Sequence, residues 1–179
     1  QAYNSKKYAE AIPLFEEYIR KYPNGFHMRK VLFYVGDSYY QTKDEPKAIE
    51  YYERLLAEQD NNFTEVAAIR TARYYYNSNM YAKAIPAYER VELISGDPEV
   101  IYNARLGLMR SNYQTGDFTG AAGYAKLVLA NGLVNAADRL SANYILGKSS
   151  LEIKNVDDAT SGLTFVSKNT TSELASESK

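Results

Sequence analysis

Cysteine and tryptophan are both absent from the 179 residues, and histidine occurs once, at His27. With no thiol, the chain can make no disulfide, no thiolate metal site and no cysteine nucleophile, and its redox compartment is left open. An excess of charge of either sign is also missing. Lys and Arg total 21 against 22 Asp and Glu, a formal net charge of -1. The long-range field that gathers nucleic acid or anionic lipid is therefore weak, and nucleic acid is not an expected partner. Apolar runs stay well short of the roughly 18 residues that span a bilayer, so no membrane insertion is expected. The chain opens Gln1-Ala-Tyr-Asn-Ser5, without a signal-like segment and without Met, an opening that leaves room for a removed export signal or anchor. Prolines are few (5), whereas tyrosines number 18 and phenylalanines 6. That balance points to helices packed through amphipathic rings.

What the chain does have is self-similarity. Tyr8-Ala-Glu-Ala-Ile-Pro-Leu-Phe15 aligns with Tyr81-Ala-Lys-Ala-Ile-Pro-Ala-Tyr88, with six of eight positions identical or both aromatic. Related segments place a small residue at Ala48, Ala121 and Ala159, so the series Ala11, Ala48, Ala84, Ala121, Ala159 advances in steps of 37, 36, 37 and 38. So regular a period marks a repeat architecture.

Each unit resolves into two helices. In the second helix of the first unit, Tyr8, Ala11, Ile12, Phe15, Ile19 and Tyr22 follow the spacing of one helical face, with Glu10, Glu16, Glu17, Arg20 and Lys21 opposite. On this pattern Glu16 and Glu17 read as a solvated face. First helices end in a tyrosine pair or its remnant, at Tyr39-Tyr40, Tyr75-Tyr76 and Asn112-Tyr113, after a small residue at Gly36, Ala72 or, in the last unit, Gly147. Small residues there let a neighbouring helix approach. Pro13 and Pro86 occupy matching places near the start of a second helix, where few intrahelical bonds are lost.

Turn residues separate the units at Pro23-Asn24-Gly25, Asp60-Asn61-Asn62, Gly96-Asp97-Pro98, Asn131-Gly132 and Asn169-Thr170-Thr171, and break each unit at Thr42-Lys-Asp, Asn77-Ser-Asn and Thr115-Gly-Asp. No segment shows strand alternation between hairpin turns. The expected organisation is a single array over 1–179: a partial repeat at 1–24, repeats at 25–60, 61–96, 97–132 and 133–170, and the start of a truncated repeat at 171–179. Cut ends of such an array would expose apolar surface and support weak self-association.

These units resemble tetratricopeptide repeats. The resemblance rests on Gly36, Tyr39, Ala48 and Tyr52; on Ala72, Tyr75, Tyr81, Ala84 and Tyr88; and on Gly147, Val156, Ala159 and Leu163. The departures are Met109 where a small residue belongs, Ala125 where a large one belongs, and Glu45 in the aromatic slot. The resemblance implies an all-α, right-handed superhelical α–α solenoid of helix hairpins, acting on protein partners. The ending Phe15-Glu-Glu-Tyr-Ile-Arg-Lys-Tyr22-Pro23 is loosely similar to repeats of bacterial envelope proteins, among them outer-membrane assembly lipoproteins and Tol-Pal-associated periplasmic coordinators. It implies a periplasmic or cell-envelope setting, with the cytoplasm as the alternative.

Residues for chemistry are sparse. His27 reads as a surface or capping residue at a helix start, and Asp157-Asp158 as charge favouring a helix dipole rather than a metal site. The glycine-rich stretch Gly116 to Gly123 lacks a preceding strand and a phosphate-loop lysine, and reads as a turn. No catalytic residue, cofactor or metal is expected. Stacked hairpins present a concave side lined by first helices. There the columns read Tyr3, Tyr40, Tyr76, Tyr113, Leu151; Asn4, Gln41, Asn77, Gln114, Glu152; Asp37, Arg73, Arg110, Lys148; and Phe33, Ile69, Leu106, Tyr144. Rings, amides and cations together suit an extended or helical peptide. The family's clamp for C-terminal carboxylates is absent, since Phe33, Ile69, Leu106 and Asp37 stand at its positions.

The expected function is a non-enzymatic protein-interaction scaffold that binds a peptide or protein segment through Tyr40, Arg73, Tyr76, Asn77, Arg110, Tyr113 and Gln114. A structural reading has Tyr40 and its equivalents packing between repeats and Asp37 pairing with Arg73. The alternatives in function are a structural or assembly subunit of a cell-envelope complex that uses the array ends, and an accessory module of a larger protein. A glycan ligand is disfavoured by the lack of Trp and of a paired acid set for hydrolysis.

Overall fold

The computed structural model describes the backbone of residues 2–177 and the side chains of residues 2–170. The described residues form helices joined by short turns, with no strand among them. The chain divides into two compact units, Gln1–Asn77 and Ser78–Lys179.

Unit 1 holds α1 (Tyr8–Lys21), α2 (Met28–Gln41), α3 (Glu45–Leu56) and α4 (Thr64–Asn77), each packed on the next in order. Its core is the periodic face read from the sequence: Leu32 and Val35 from α2, Ala48, Tyr52 and Leu55 from α3, and Ala67, Ala68 and Ala72 from α4 are all essentially buried. Tyr52 enters because Gly36 leaves room for it. A Cβ on Gly36 would lie 2.8 Å from the Tyr52 ring. Phe33 stacks on Phe63 with ring centroids 4.5 Å apart, closing α2 over the start of α4.

Unit 2 holds α5 (Tyr81–Ile94), α6 (Pro98–Thr115), α7 (Phe118–Leu129), α8 (Ala136–Glu152) and α9 (Val156–Glu177), again packed in sequence order. Two of the departures from the repeat pattern meet in its core. Met109 and Ala125 are both fully buried in one cluster, so α6 carries the large side chain and α7 the small one. The next hairpin returns to the usual order, with Leu163 only 2.8 Å from where a Cβ on Gly147 would stand. Gly162 lets α9 touch the α8 backbone, since a Cβ there would lie 2.5 Å from the Asn143 carbonyl oxygen.

The turns inside the hairpins share one device. Lys6, Lys43, Asn79, Gly116 and Lys154 all have φ between 57° and 82°, in the left-handed region. Their spacing repeats that of the small-residue series. At four of them the following amide closes the turn, Lys7 on the Ala2 carbonyl, Asp44 on Tyr39, Asp117 on Asn112 and Asn155 on Ser150, at 2.8 to 3.0 Å. This is the hydrogen bonding of a Schellman turn. Asp44, Asp117 and Asn155 then cap the following helix by accepting from the amides of Lys47, Gly120 and Asp158.

Pro13 and Pro86 are each the sixth residue of their helix, near its start, and each removes a single helical hydrogen bond. One expectation needs correction. The boundary placed at Asn169-Thr170-Thr171 does not break the chain, because α9 continues to Glu177. Asn169 and Thr170 return their side chains to the carbonyls of Phe165 and Val166 at 2.8 and 2.7 Å, satisfying their polar atoms within the helix. Hence 171–177 continues α9 and does not open a new repeat, while 178–179 fall outside the described residues.

Candidate functional site

Unit 1 carries a cleft of about 110 Å³ at the end of α2, the start of α3 and the C-terminal half of α4. Tyr40 comes from α2, Glu45 and Ile49 from α3, and Arg70, Arg73, Tyr74 and Asn77 from α4. The helical repeat explains the last group, since positions three and four apart on α4 share one face. Three of the residues chosen from the sequence, Tyr40, Arg73 and Asn77, thus come together. Arg70, Glu45, Ile49 and Tyr74 complete the cleft.

Beneath the cleft lies a charged cluster. Asp37, only 5% exposed, accepts hydrogen bonds from the Tyr3 hydroxyl and from Nη1 of Arg70. The same Nη1 donates to the Tyr52 hydroxyl, and the guanidinium lies over the Tyr40 ring, 4.2 Å from its centroid. Burial disfavours the Arg70 charge, but the Asp37 carboxylate and the Tyr52 hydroxyl outweigh it and push its pKa up. Burial, then the Asp37 contact, raises the Tyr3 hydroxyl, and burial raises that of Tyr52 against the opposing pull of Arg70. The expected Asp37–Arg73 pair is corrected to Asp37–Arg70. Arg70 lies one turn deeper, where it reaches the buried carboxylate. A buried pair of this kind costs about 3–5 kcal/mol if one partner is removed. Arg73, by contrast, is exposed, and no acidic side chain among the described residues pairs with it.

The remaining candidates lie elsewhere. Tyr76 is half-buried on α4 and has interactions of its own. In unit 2, Arg110 is not the free cation that its column implied, because its Nη2 lies 2.9 Å from Oδ1 of Asp138. Asp138 also accepts from the Tyr102 hydroxyl at 3.0 Å. Tyr113 is half-buried between Phe118 and Tyr144, at centroid distances of 6.1 and 6.4 Å, and Gln114 is exposed near the end of α6.

Glu16 also departs from its reading as solvated. It is half-buried, and its Oε1 accepts from the hydroxyls of Tyr39 at 2.7 Å and Tyr51 at 2.9 Å, two rings stacked 5.7 Å apart. One repeat later the Tyr75 hydroxyl donates to Glu53. Sequence spacing could have found this link, since Tyr39 to Tyr75 and Glu16 to Glu53 advance by one repeat each.

His27 is exposed and caps nothing with its side chain. Asp158 accepts from Asn155 and pairs with Lys126 at 2.5 Å. Among the described residues no group of three or more His, Asp or Glu is arranged to hold a metal, and no helix is long and apolar enough to cross a membrane.

Helix hairpins, small-against-large packing and repeated Schellman turns define an all-α protein built from repeated helix hairpins. Residues 2–63 match the tetratricopeptide repeat family. The solved structure of MamA MSR-1 C2 superposes with a TM-score of 0.58 at 19% sequence identity, covering 99% of this chain and 92% of that one. At that identity the likeness is one of fold. No curated protein matches the sequence. The resemblance read from the repeats is borne out, and repeats of this kind support a protein-interaction scaffold.

Proposed function

We propose that the chain is a non-enzymatic scaffold that binds an extended segment of a partner protein, with the unit 1 cleft as a docking site. The observation that carries this reading is the pairing of roles on α4. Arg70 is spent on Asp37 and covers the Tyr40 ring, while Arg73, three residues on, lines the cleft with no acidic partner among the described residues. An acidic side chain of the partner is the natural counterion, Asn77 can satisfy a backbone group, and Tyr40 and Tyr74 supply ring area. Because Arg73 is exposed, its contribution is mostly to encounter and to salt dependence.

Peptides selected from a random displayed library on the wild-type chain test the proposal. Arg73→Glu is expected to weaken the selected peptides about tenfold or more at low salt and to flatten their salt dependence, with the helical circular dichroism unchanged. Equal affinity for wild type and variant would remove the cleft as the site. A periplasmic or envelope location is part of the proposal and rests on the Phe15-to-Pro23 ending alone. Fractionation of cells carrying the full-length protein checks it.

A further inference from the structure

The cleft lies where one hairpin lacks a ring that two others carry. In the first hairpin turn, Tyr3 meets Tyr8 edge-to-face at 5.5 Å. In unit 2, Tyr113 meets Phe118 in the same way at 6.1 Å. Each pair is five residues apart across a hairpin turn, the second ring standing on the first residue of the following helix. The same pair in the second hairpin is Tyr40 and Glu45, and Glu45 is exposed and provides no ring. The open volume lies between these two residues, floored by the buried side chain of Ile49. Arg70 covers one face of the Tyr40 ring, and in the sibling hairpins the corresponding rings meet edge-to-face.

We infer that this cleft is a vacated ring socket, filled on binding by a tyrosine-type side chain of the partner that lies next to an acidic residue. The inference rests on the reading of the cleft as a peptide site and adds the chemistry of its occupant. The chain itself supplies the template, because its own hairpins fill the equivalent place with Tyr8 and Phe118. A cavity of ~150 Å³ accepts a whole benzene ring, so the open cleft of about 110 Å³ takes part of a ring and leaves the rest toward solvent. Glu45 at the rim replaces the missing ring with an acceptor, which selects a ring carrying a hydrogen-bond donor over a plain phenyl group. Arg73 then takes the neighbouring carboxylate. Ring burial and edge contact together correspond to about a tenfold gain over a side chain that leaves the socket empty.

The test uses two dipeptides, acetyl-Tyr-Asp-amide and acetyl-Ala-Asp-amide, titrated into the ¹⁵N-labelled chain and followed by amide chemical shifts. The tyrosyl peptide is expected to move the resonances of Tyr40, Glu45, Ile49 and Tyr74 with a Kd about tenfold below that of the alanyl peptide. Glu45→Tyr should plug the socket from within, erasing the preference while the melting temperature stays level or rises. Glu45→Phe serves as a second plug if the first variant fails to fold. Glu45→Gln keeps the socket empty and should keep the preference. Equal affinity for the two peptides, with shifts centred on Arg73, would overturn the socket and leave the cleft reading intact. Absence of shifts from either peptide would also overturn it, and the displayed peptides with Arg73→Glu then decide separately whether the cleft is a site.

Discussion

Lys43 sits at a φ of 69° and Lys154 at 60°, a backbone region in which a side chain costs about 1–2 kcal/mol and glycine costs little. Gly116 fills the same turn position in the hairpin of α6 and α7 at a φ of 82°. Urea denaturation should therefore show opposite signs. Lys43→Gly is expected to stabilise by about 0.5 kcal/mol, the relief of strain outweighing the added freedom of the unfolded chain, and Gly116→Ala to destabilise by about 1 kcal/mol. A matching sign for the two would mean that the turns are not set by this geometry. The residue scale is also where the sequence was least legible. Columns placed Arg73 opposite Asp37, but Arg70 and Arg73 lie three positions apart on one helical face, and side-chain reach decides which cation a buried acid captures. Arg70 stands among Ala67, Ala68 and Ala72, and a cation among buried alanines was the available sign of a buried pair. Glu16 was hidden for a related reason. A helical wheel assigns it to the polar face but cannot show that two tyrosine hydroxyls bend over to it.

Helices were far easier to read, because a face buried every three or four residues leaves its period in the sequence whatever the partner. The breaks at Thr42, Asn77 and Thr115 fall at helix ends as expected, and the failure at Asn169 arose because polar side chains satisfied by their own helix resemble turn formers. Met109 and Ala125 look like two separate lapses in the pattern until α6 and α7 are packed, when they become one exchange of bulk. The exchange makes a prediction. Met109→Gly alone leaves a void and is expected to cost about 2–5 kcal/mol, and Ala125→Tyr alone overfills the core and is expected to cost about 1–3 kcal/mol. Together they rebuild the pairing seen at Gly36 and Tyr52, so the double variant should be more stable than the sum of the two losses. Additive losses in thermal or urea unfolding would show that the two positions do not share a contact.

Over the whole molecule, buried tyrosine hydroxyls are a recurring load. Tyr39 is pushed up to about 12 by burial and by its bond to Glu16, and Tyr102 to about 12 by burial and its bond to Asp138, while Tyr3, Tyr51, Tyr52 and Tyr75 are raised further, burial being the main cause in each. A tyrosine raised in the folded state holds its proton more tightly there than in the unfolded chain. Its contribution is complete below the unfolded value near 10 and is lost as pH climbs toward the folded values. Denaturation midpoints should thus stay unaffected by these groups up to about pH 9 and fall steeply between about 10 and 12, with a smaller fall in Tyr39→Phe. The repeat class was legible at this scale, since a period near three dozen residues survives every local departure. The docking surface was only partly so. Seven residues were chosen by column, and three of them, Tyr40, Arg73 and Asn77, share the cleft.

Glu45 gives that cleft a history as well as a shape. Where most hairpins wear a bulky residue as permanent padding, this one has left the space unfurnished, and a single amino-acid exchange separates the two conditions. Duplicated hairpins can thus gain or lose receptivity without relearning how to fold, and partner choice can drift along such an array one hairpin at a time.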